Sequence, residues 1–214
     1  MSWAPCSPKD TKLSLIGPTL GLHDLYHRAV RPPRERLRGL RGGEADTRDA
    51  GMMWGMRFRH ELHYDAAPAA VFEMLADAAF REAACAAQDV ISAEVTLERD
   101  GNGFTLSVDQ EQRTDDLPSF ARTFAGASTR AIQRETWTDT TGGTLQIDTP
   151  GKPSTLKGTI TLRPEGSGTV EIVELEIKVK LPLIGGKLEH LLADKVTAGM
   201  DAEHGVGVEY LAGR

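Results

Sequence analysis

The sequence predicts an α+β domain: a curved antiparallel sheet of about seven strands against one long C-terminal helix, with two short helices after strand 1. Three observations carry this. Segments between Met56 and Leu181 alternate apolar and polar residues at the strand period of two, and Gly- or Pro-containing turns separate them. A single long apolar stripe at the 3.6-residue helical period runs from Ile184 to Leu211. Two short helical patches, rich in alanine, fall between the first strand and the second. A sheet with one apolar face needs a second layer, and the terminal helix is the element long enough to supply it.

The elements follow in order. Met56, Phe58, His60, Leu62 and Tyr64 alternate with Arg57, Arg59, Glu61 and His63, the pattern of a half-buried strand. Pro68 suits a first helical turn, and Val71, Phe72 and Leu75 recur at helical spacing over Ala69–Ala76. Asp77 is placed to cap a second short helix, Ala78–Gln88, with Phe80, Ala83, Ala84 and Ala87 inward. Ile91, Ala93, Val95 and Leu97 share one face of a strand ending at the hairpin signal Asp100-Gly101-Asn102-Gly103. Phe104, Leu106 and Val108 return, followed on the same face by Gln110 and Gln112. Thr129–Thr138 and Thr144–Asp148 read as strands with a turn at Gly142-Gly143. Leu156–Leu162 is a sixth strand, closed by Pro164-Glu165-Gly166-Ser167-Gly168. In the last strand Val173, Leu175, Ile177, Val179 and Leu181 face inward, while Glu174, Glu176, Lys178 and Lys180 face water. Gly199, Gly205 and Gly207 each weaken the terminal helix by up to about 1 kcal/mol, so its last third is expected to fray or bend.

Composition divides the 214 residues into two parts. Residues 1–50 carry nine basic against six acidic side chains and five of the eleven prolines, whereas 51–214 carry sixteen basic against twenty-five acidic. The arginines from Arg28 to Arg41 crowd around Pro32-Pro33 without hydrophobic periodicity, so residues 1–55 read as a disordered basic extension. Translation starting instead at Met52, Met53 or Met56 is the simplest account of the break, with a basic arm or a targeting peptide as alternatives. The domain proper is 56–214. Its acidity argues against nucleic acid as a partner, because phosphate binding rests on basic patches. No apolar run reaches the roughly 18–20 residues of a membrane span, and no secretory pattern opens the chain. Two cysteines, Cys6 and Cys85, make no disulfide framework; the expected location is the cytoplasm.

This order of elements resembles the START-like superfamily (SRPBCC), the helix-grip fold shared with polyketide cyclases and birch-pollen-type allergens. Four segments look like an uncharacterised actinobacterial family within it, a domain of unknown function. They are Met56–Tyr64 with Pro68-x-x-Val71-Phe72, Leu117-Pro118-Ser119-Phe120-Ala121-Arg122, Pro150-Gly151-Lys152-Pro153, and Lys180-Leu181-Pro182-Leu183-Ile184-Gly185-Gly186-Lys187. The likeness covers residues 56–213. It implies a hydrophobic cavity between sheet and helix, but no reaction, because the superfamily includes carriers, cyclases, hydrolases and partner-binding proteins.

Several residues are candidates for that cavity. His60 lies on the apolar face of its strand; it is either an acid/base group in a pocket or a core histidine bonded to a backbone carbonyl. Gln110 and Gln112 either orient the polar end of a ligand or mark a strand running out to solvent. Trp137 is a cavity wall or an ordinary core residue. Phe120 and Phe124 sit in the long irregular segment Thr114–Ser128, which reads as a lid, with a short helix or an edge strand packed on the sheet as the alternative. Phe58, Phe104 and Met200 complete the candidate set.

Searches for chemistry return little. There is no nucleophile elbow, phosphate loop or dinucleotide fingerprint, so no cofactor is implied. His190 and His204 are about 21 Å apart along one helix at 1.5 Å per residue, too far to share a metal. His23 and His27 have ligand spacing but lie in the extension, and Cys85 packs as a small hydrophobe. The leading expectation is binding of a hydrophobic small molecule, lipid- or polyketide-like. The alternatives are a cyclase- or dehydratase-like enzyme using His60, or an interaction module using Phe120 and Phe124.

Overall fold

The structure, a computed structural model, describes residues 55–213. The expectations for the basic extension, for Cys6 and for the His23/His27 pair therefore lie outside the described residues, Gly55 apart.

Strand β1 (Met56–Tyr64) leads into α1 (Pro68–Leu75) and α2 (Ala78–Ala87). Then come β2 (Ser92–Asp100), β3 (Gly103–Arg113), α3 (Ser119–Ala125), β4 (Ser128–Trp137), β5 (Gly142–Asp148), β6 (Ser154–Glu165), β7 (Gly168–Val179) and α4 (Gly185–Ala212). The seven strands form one sheet in the order β1-β7-β6-β5-β4-β3-β2, with every neighbouring pair antiparallel. Strands β2 to β7 are a meander, and β1 returns to pair with β7, His60 standing opposite Val173. The inward faces of the strands and the apolar stripe of α4 enclose the main core together with α1 and α2.

Local chemistry accounts for most boundaries. Pro68 occupies the first turn of α1, where its missing N–H costs no hydrogen bond. Asp77 Oδ1 accepts the Ala79 N–H at 2.9 Å and starts α2. Asp100 pairs with Gly103 across Gly101-Asn102, and Gly101 takes the positive φ of +56° that this turn requires. Phe72, Phe104 and Trp137 anchor one end of the core. Phe104 and Trp137 stack at 5.3 Å, and Phe72 sits 5.6 and 5.8 Å from them. Each such burial stabilises the domain by roughly 1.5–3 kcal/mol.

The structure corrects five expectations. The inward face of α2 is Phe80, Arg81, Ala84 and Cys85, while Ala83 and Ala87 are exposed. The helix is rotated because Arg81 is buried as an ion-paired group, not excluded as a charge. Gly142-Gly143 belongs to β5 and not to a turn: a Cβ at Gly142 would stand 2.6 Å from Ile160 O, so close strand approach demands the glycine. On β2, an edge strand, Ala93 is exposed and Val95 and Leu97 are half-buried, because only one neighbouring strand covers it. Segment Thr114–Ser128 is not irregular throughout: it contains the short helix α3, with Ala121 packed against Val179 and Leu188. Finally, α4 runs unbroken to Ala212. Gly207 faces the core there, where a Cβ would come 3.0 Å from Tyr64 Cε1 and 3.2 Å from Met74 Cε. That glycine permits close packing, which offsets its poor helix propensity.

Candidate functional site

Where α4 crosses the concave face, small residues keep the two layers from closing. Ala131 on β4 and Gly199 on α4 contribute almost no side chain, and a cavity of about 100 Å³ is left between sheet and helix. Its apolar walls are Leu62, Leu145, Ile147, Leu156, Ile160 and Val173 from the sheet, with Leu192, Val196 and Met200 from α4. A second, apolar chamber of about 130 Å³ lies beside it under α3, lined by Leu117, Ala121, Phe124, Val179, Leu188 and Leu191. Gln112, Thr149, Leu192 and Lys195 contribute to both chambers. A polar cleft of about 380 Å³, bordered by Asp89, Arg113, Asp115 and Asp116, adjoins the first chamber at Gln88, Gln112, Lys195 and Gly199.

The first chamber also has a charged wall. Arg81 on α2 is 4% exposed and uses its whole guanidinium. Its Nε donates to Leu75 O at 2.8 Å, Nη1 to Glu203 Oε1 at 2.6 Å and Nη2 to Glu135 Oε2 at 2.9 Å. Glu135 is further satisfied by Gln133 Nε2 at 2.7 Å and by the Trp137 indole N–H at 2.8 Å. Glu171, on β7, accepts the Tyr64 hydroxyl at 3.1 Å and no other donor among the described residues. Three carboxyl groups thus face one guanidinium.

Titration follows from that imbalance. Burial, reinforced by the nearby Glu203 and Glu135, pushes Glu171 up to about 8 against the opposing pull of Arg81, so its carboxyl is protonated at neutral pH. Burial also raises Glu203, with Arg81 opposing and Glu135 adding to the rise. Burial disfavours the charge on Arg81, yet Glu135, Glu203 and Glu171 outweigh it and hold the guanidinium above its ordinary value. Tyr64 is held well above the usual phenol range by burial and by Glu171.

The nine candidate residues are distributed unevenly around this geometry. Gln110, Gln112 and Met200 line the first chamber; Gln112 and Phe124 line the second. Phe58, Phe104 and Trp137 are buried core residues outside both walls. His60 lines neither chamber: it is half-buried beside Phe58, and its Nε2 lies 2.8 Å from Asp201 Oδ1 on α4. Its partner is a carboxylate at the helix surface, neither a ligand space nor a backbone carbonyl. Phe120 is 40% exposed and lines neither chamber.

Sequence reasoning missed Arg81, Glu135, Glu171 and Glu203 as a group. A signal was present for Glu135 and Glu171, since both occupy inward positions of strands in phase with apolar neighbours. No local signal marked Arg81 or Glu203, which read as exposed helical charges.

A meandering antiparallel sheet that grips a long terminal helix around a cavity defines the START-like, helix-grip class of protein. Solved structures with this fold include TTHA0849 from Thermus thermophilus, at 20% identity and a TM-score of 0.51 over 72% of this chain and 99% of that one. The di-domain ARO/CYC StfQ from the steffimycin biosynthetic pathway matches at 15% identity and 0.50, over 75% of this chain and 53% of that one. Ara h 8.0201 matches at 14% and 0.50, over 74% and 99%. These likenesses establish the fold. Residues 59–211 match the family described as "Protein of unknown function (DUF2505)", and the chain belongs to that family. No curated protein matches it. Among the described residues, no helix is long and apolar enough to cross a membrane.

Proposed function

We propose that residues 56–214 form a ligand-binding domain that holds a hydrophobic small molecule, lipid- or polyketide-like, between the sheet and α4, in the cytoplasm. The observation that carries this reading is the first chamber, walled by Leu62, Leu145, Ile147, Leu156, Ile160 and Leu192 and continued by the apolar chamber beneath α3. Interiors normally fill such space, because an empty apolar volume forfeits dispersion contacts. A ligand would regain them and bury apolar area at about 25 cal/mol per Å². Two chambers of this size, side by side, suit a slender apolar chain. A broad ring system, with the roughly 300 Å³ or more of an ordinary ligand pocket, would require α3 and α4 to part from the sheet. Similarity to StfQ, an ARO/CYC protein, agrees with a polyketide-like ligand. The geometry gives no support to His60 as acid or base, since it stands outside the cavity wall on Asp201.

The test is native mass spectrometry of the gently purified full chain, together with titration by n-octanol followed through amide and methyl NMR shifts. Retained apolar mass, or saturable shifts at Leu145, Ile147, Leu156 and Val196 that are lost in Leu192→Trp and Val196→Phe, supports the reading. No retained mass and no saturable shift at these residues overturns it.

A further inference from the structure

The apolar walls account for the body of a ligand and leave one polar atom of the first chamber unexplained. Gln110, on β3, lines that chamber and is 8% exposed, and its Oε1 has no hydrogen-bond partner among the described residues. A buried acceptor without a donor forfeits its bonds to water and gains nothing in return, so folded interiors keep few of them. The neighbouring strands do not supply the donor. Gln110 stands opposite Ala93 on β2 and Ala131 on β4, and neither side chain has a polar group.

The other donors of the chamber wall are engaged elsewhere. Arg81 is committed to Leu75 O, Glu203 and Glu135, and Gln133 Nε2 donates to Glu135. Lys195 pairs with Asp116, and Thr149 Oγ1 is bonded to Ser154. Gln88 and Gln112 line the same wall, yet neither amide bonds Gln110 Oε1. From α4 the wall adds Leu192, Val196, Gly199 and Met200, which carry no side-chain donor. The orphaned acceptor thus belongs to a cavity whose own side chains leave it unmet, and whose remaining surface suits an apolar chain.

We infer that Gln110 Oε1 accepts a hydrogen bond from a hydroxyl group of the bound ligand, which makes that ligand a neutral, slender, apolar alcohol. This rests on the reading of the cavity as a ligand site and names the ligand's polar group. A hydroxyl brings the one donor that the amide oxygen lacks, and no charge. An ether, an ester or a carboxylate only accepts, and each would set lone pairs against the Gln110 oxygen. An ammonium group donates, but a neutral amide oxygen does not offset the cost of taking a full charge out of water. Gln112, two residues further along the same face of β3, lines both chambers. A chain anchored at Gln110 therefore has a path past Gln112 into the space under α3.

The experiment compares n-octanol with its isomer heptyl methyl ether, which has the same atoms but no O–H, on the full-length protein by calorimetry. Octanol is expected to bind about threefold to tenfold tighter, the worth of one buried hydrogen bond. That ratio should fall to one or below in Gln110→Leu and in Gln110→Met. In the octanol-saturated wild type, nuclear Overhauser contacts should join the carbinol methylene to the Gln110 side-chain amide. Equal binding of alcohol and ether, an alcohol preference that persists in both variants, or a carbinol methylene lying away from Gln110 overturns this inference and leaves the cavity reading standing. If neither compound binds, the cavity reading fails and this inference falls with it. Should the variants not fold, the wild-type ratio and the Overhauser contacts still decide.

Discussion

Replacing Arg81 by Met would remove the buried cation from a wall that holds three carboxyl groups. The long apolar side chain keeps much of the volume, so the loss is electrostatic more than steric. In the native protein the guanidinium donates to Leu75 O, Glu203 and Glu135 at 2.6–2.9 Å. Without it, Glu135 keeps its bonds from Gln133 and Trp137, whereas Glu203 loses its partner and the C-terminal carbonyl of α1 loses its donor. Breaking a buried pair by deleting one partner typically costs about 3–5 kcal/mol, because the remaining charge stays desolvated. For a domain of this size, that corresponds to a fall in melting temperature of roughly 6–20 °C.

The cost should also depend on pH. In the variant, the orphaned carboxyl groups escape by taking up protons, so their folded-state pKa values rise above the unfolded ones. A raised carboxyl contributes stability at low pH that is lost as pH climbs from the unfolded toward the folded value. The deficit of Arg81→Met should therefore be larger at pH 8 than at pH 5. Urea denaturation followed by circular dichroism at both pH values measures it. Adding Glu203→Gln should restore part of the loss, since it removes one of the stranded charges. A deficit below about 1 kcal/mol at pH 8, the value for an exposed ion pair, would refute the account of Arg81 as a buried counter-ion. So would an equal deficit at both pH values.

Other outcomes follow from single contacts. Glu171 holds its proton up to about pH 8 in the folded chain but ionises near 4.5 when unfolded. Its contribution to stability thus declines between those values, by up to about 1.4 kcal/mol per pH unit. Glu171→Gln should flatten this slope relative to the wild type in urea titrations, and an unchanged slope would contradict the assignment. Gly207→Ala should destabilise by about 1–3 kcal/mol despite alanine's better helix propensity, because its Cβ would press on Tyr64 and Met74; thermal unfolding decides the sign. Asp77→Ala removes the α2 cap and the acceptor for the Tyr210 hydroxyl, with an expected loss of about 1–2 kcal/mol in the same assay.

Strand existence was legible because burial on one face leaves a period-two record in the chain. The phases of β1, β3, β6 and β7 could be read from residues such as Phe58, Leu106, Ile160 and Leu175, all buried in the sheet. So could the stripe of α4 and the cap at Asp77. Pairing was less accessible. That β1 closes on β7, more than a hundred residues later, depends on two edges meeting, and neither strand carries a local mark of its partner. The same limit explains the glycines: Gly143 and Gly207 look like breakers until the Trp137 and Tyr64 side chains that crowd them are in place.

The candidate site divides along the same line. Inward-facing Gln110 and Gln112 and the helical Met200 were readable, since each continues an apolar periodicity whose cover is a cavity. His60 shared that periodicity, yet it lies near the rim of the sheet, where Asp201 of α4 reaches it. Period gives the face of a strand and says nothing of depth. Arg81 and Glu203 were invisible because a charged residue on a helix is normally solvated, and its burial is decided by the partner that compensates it. That partner, Glu135, arrives from a strand 54 residues away. Alternation and capping are local properties of the chain, so class, elements and apolar faces follow from its order alone. Closure of the sheet, the empty space under α4 and the charge placed against it arise between residues far apart in sequence, where only three-dimensional packing brings their fields and surfaces together.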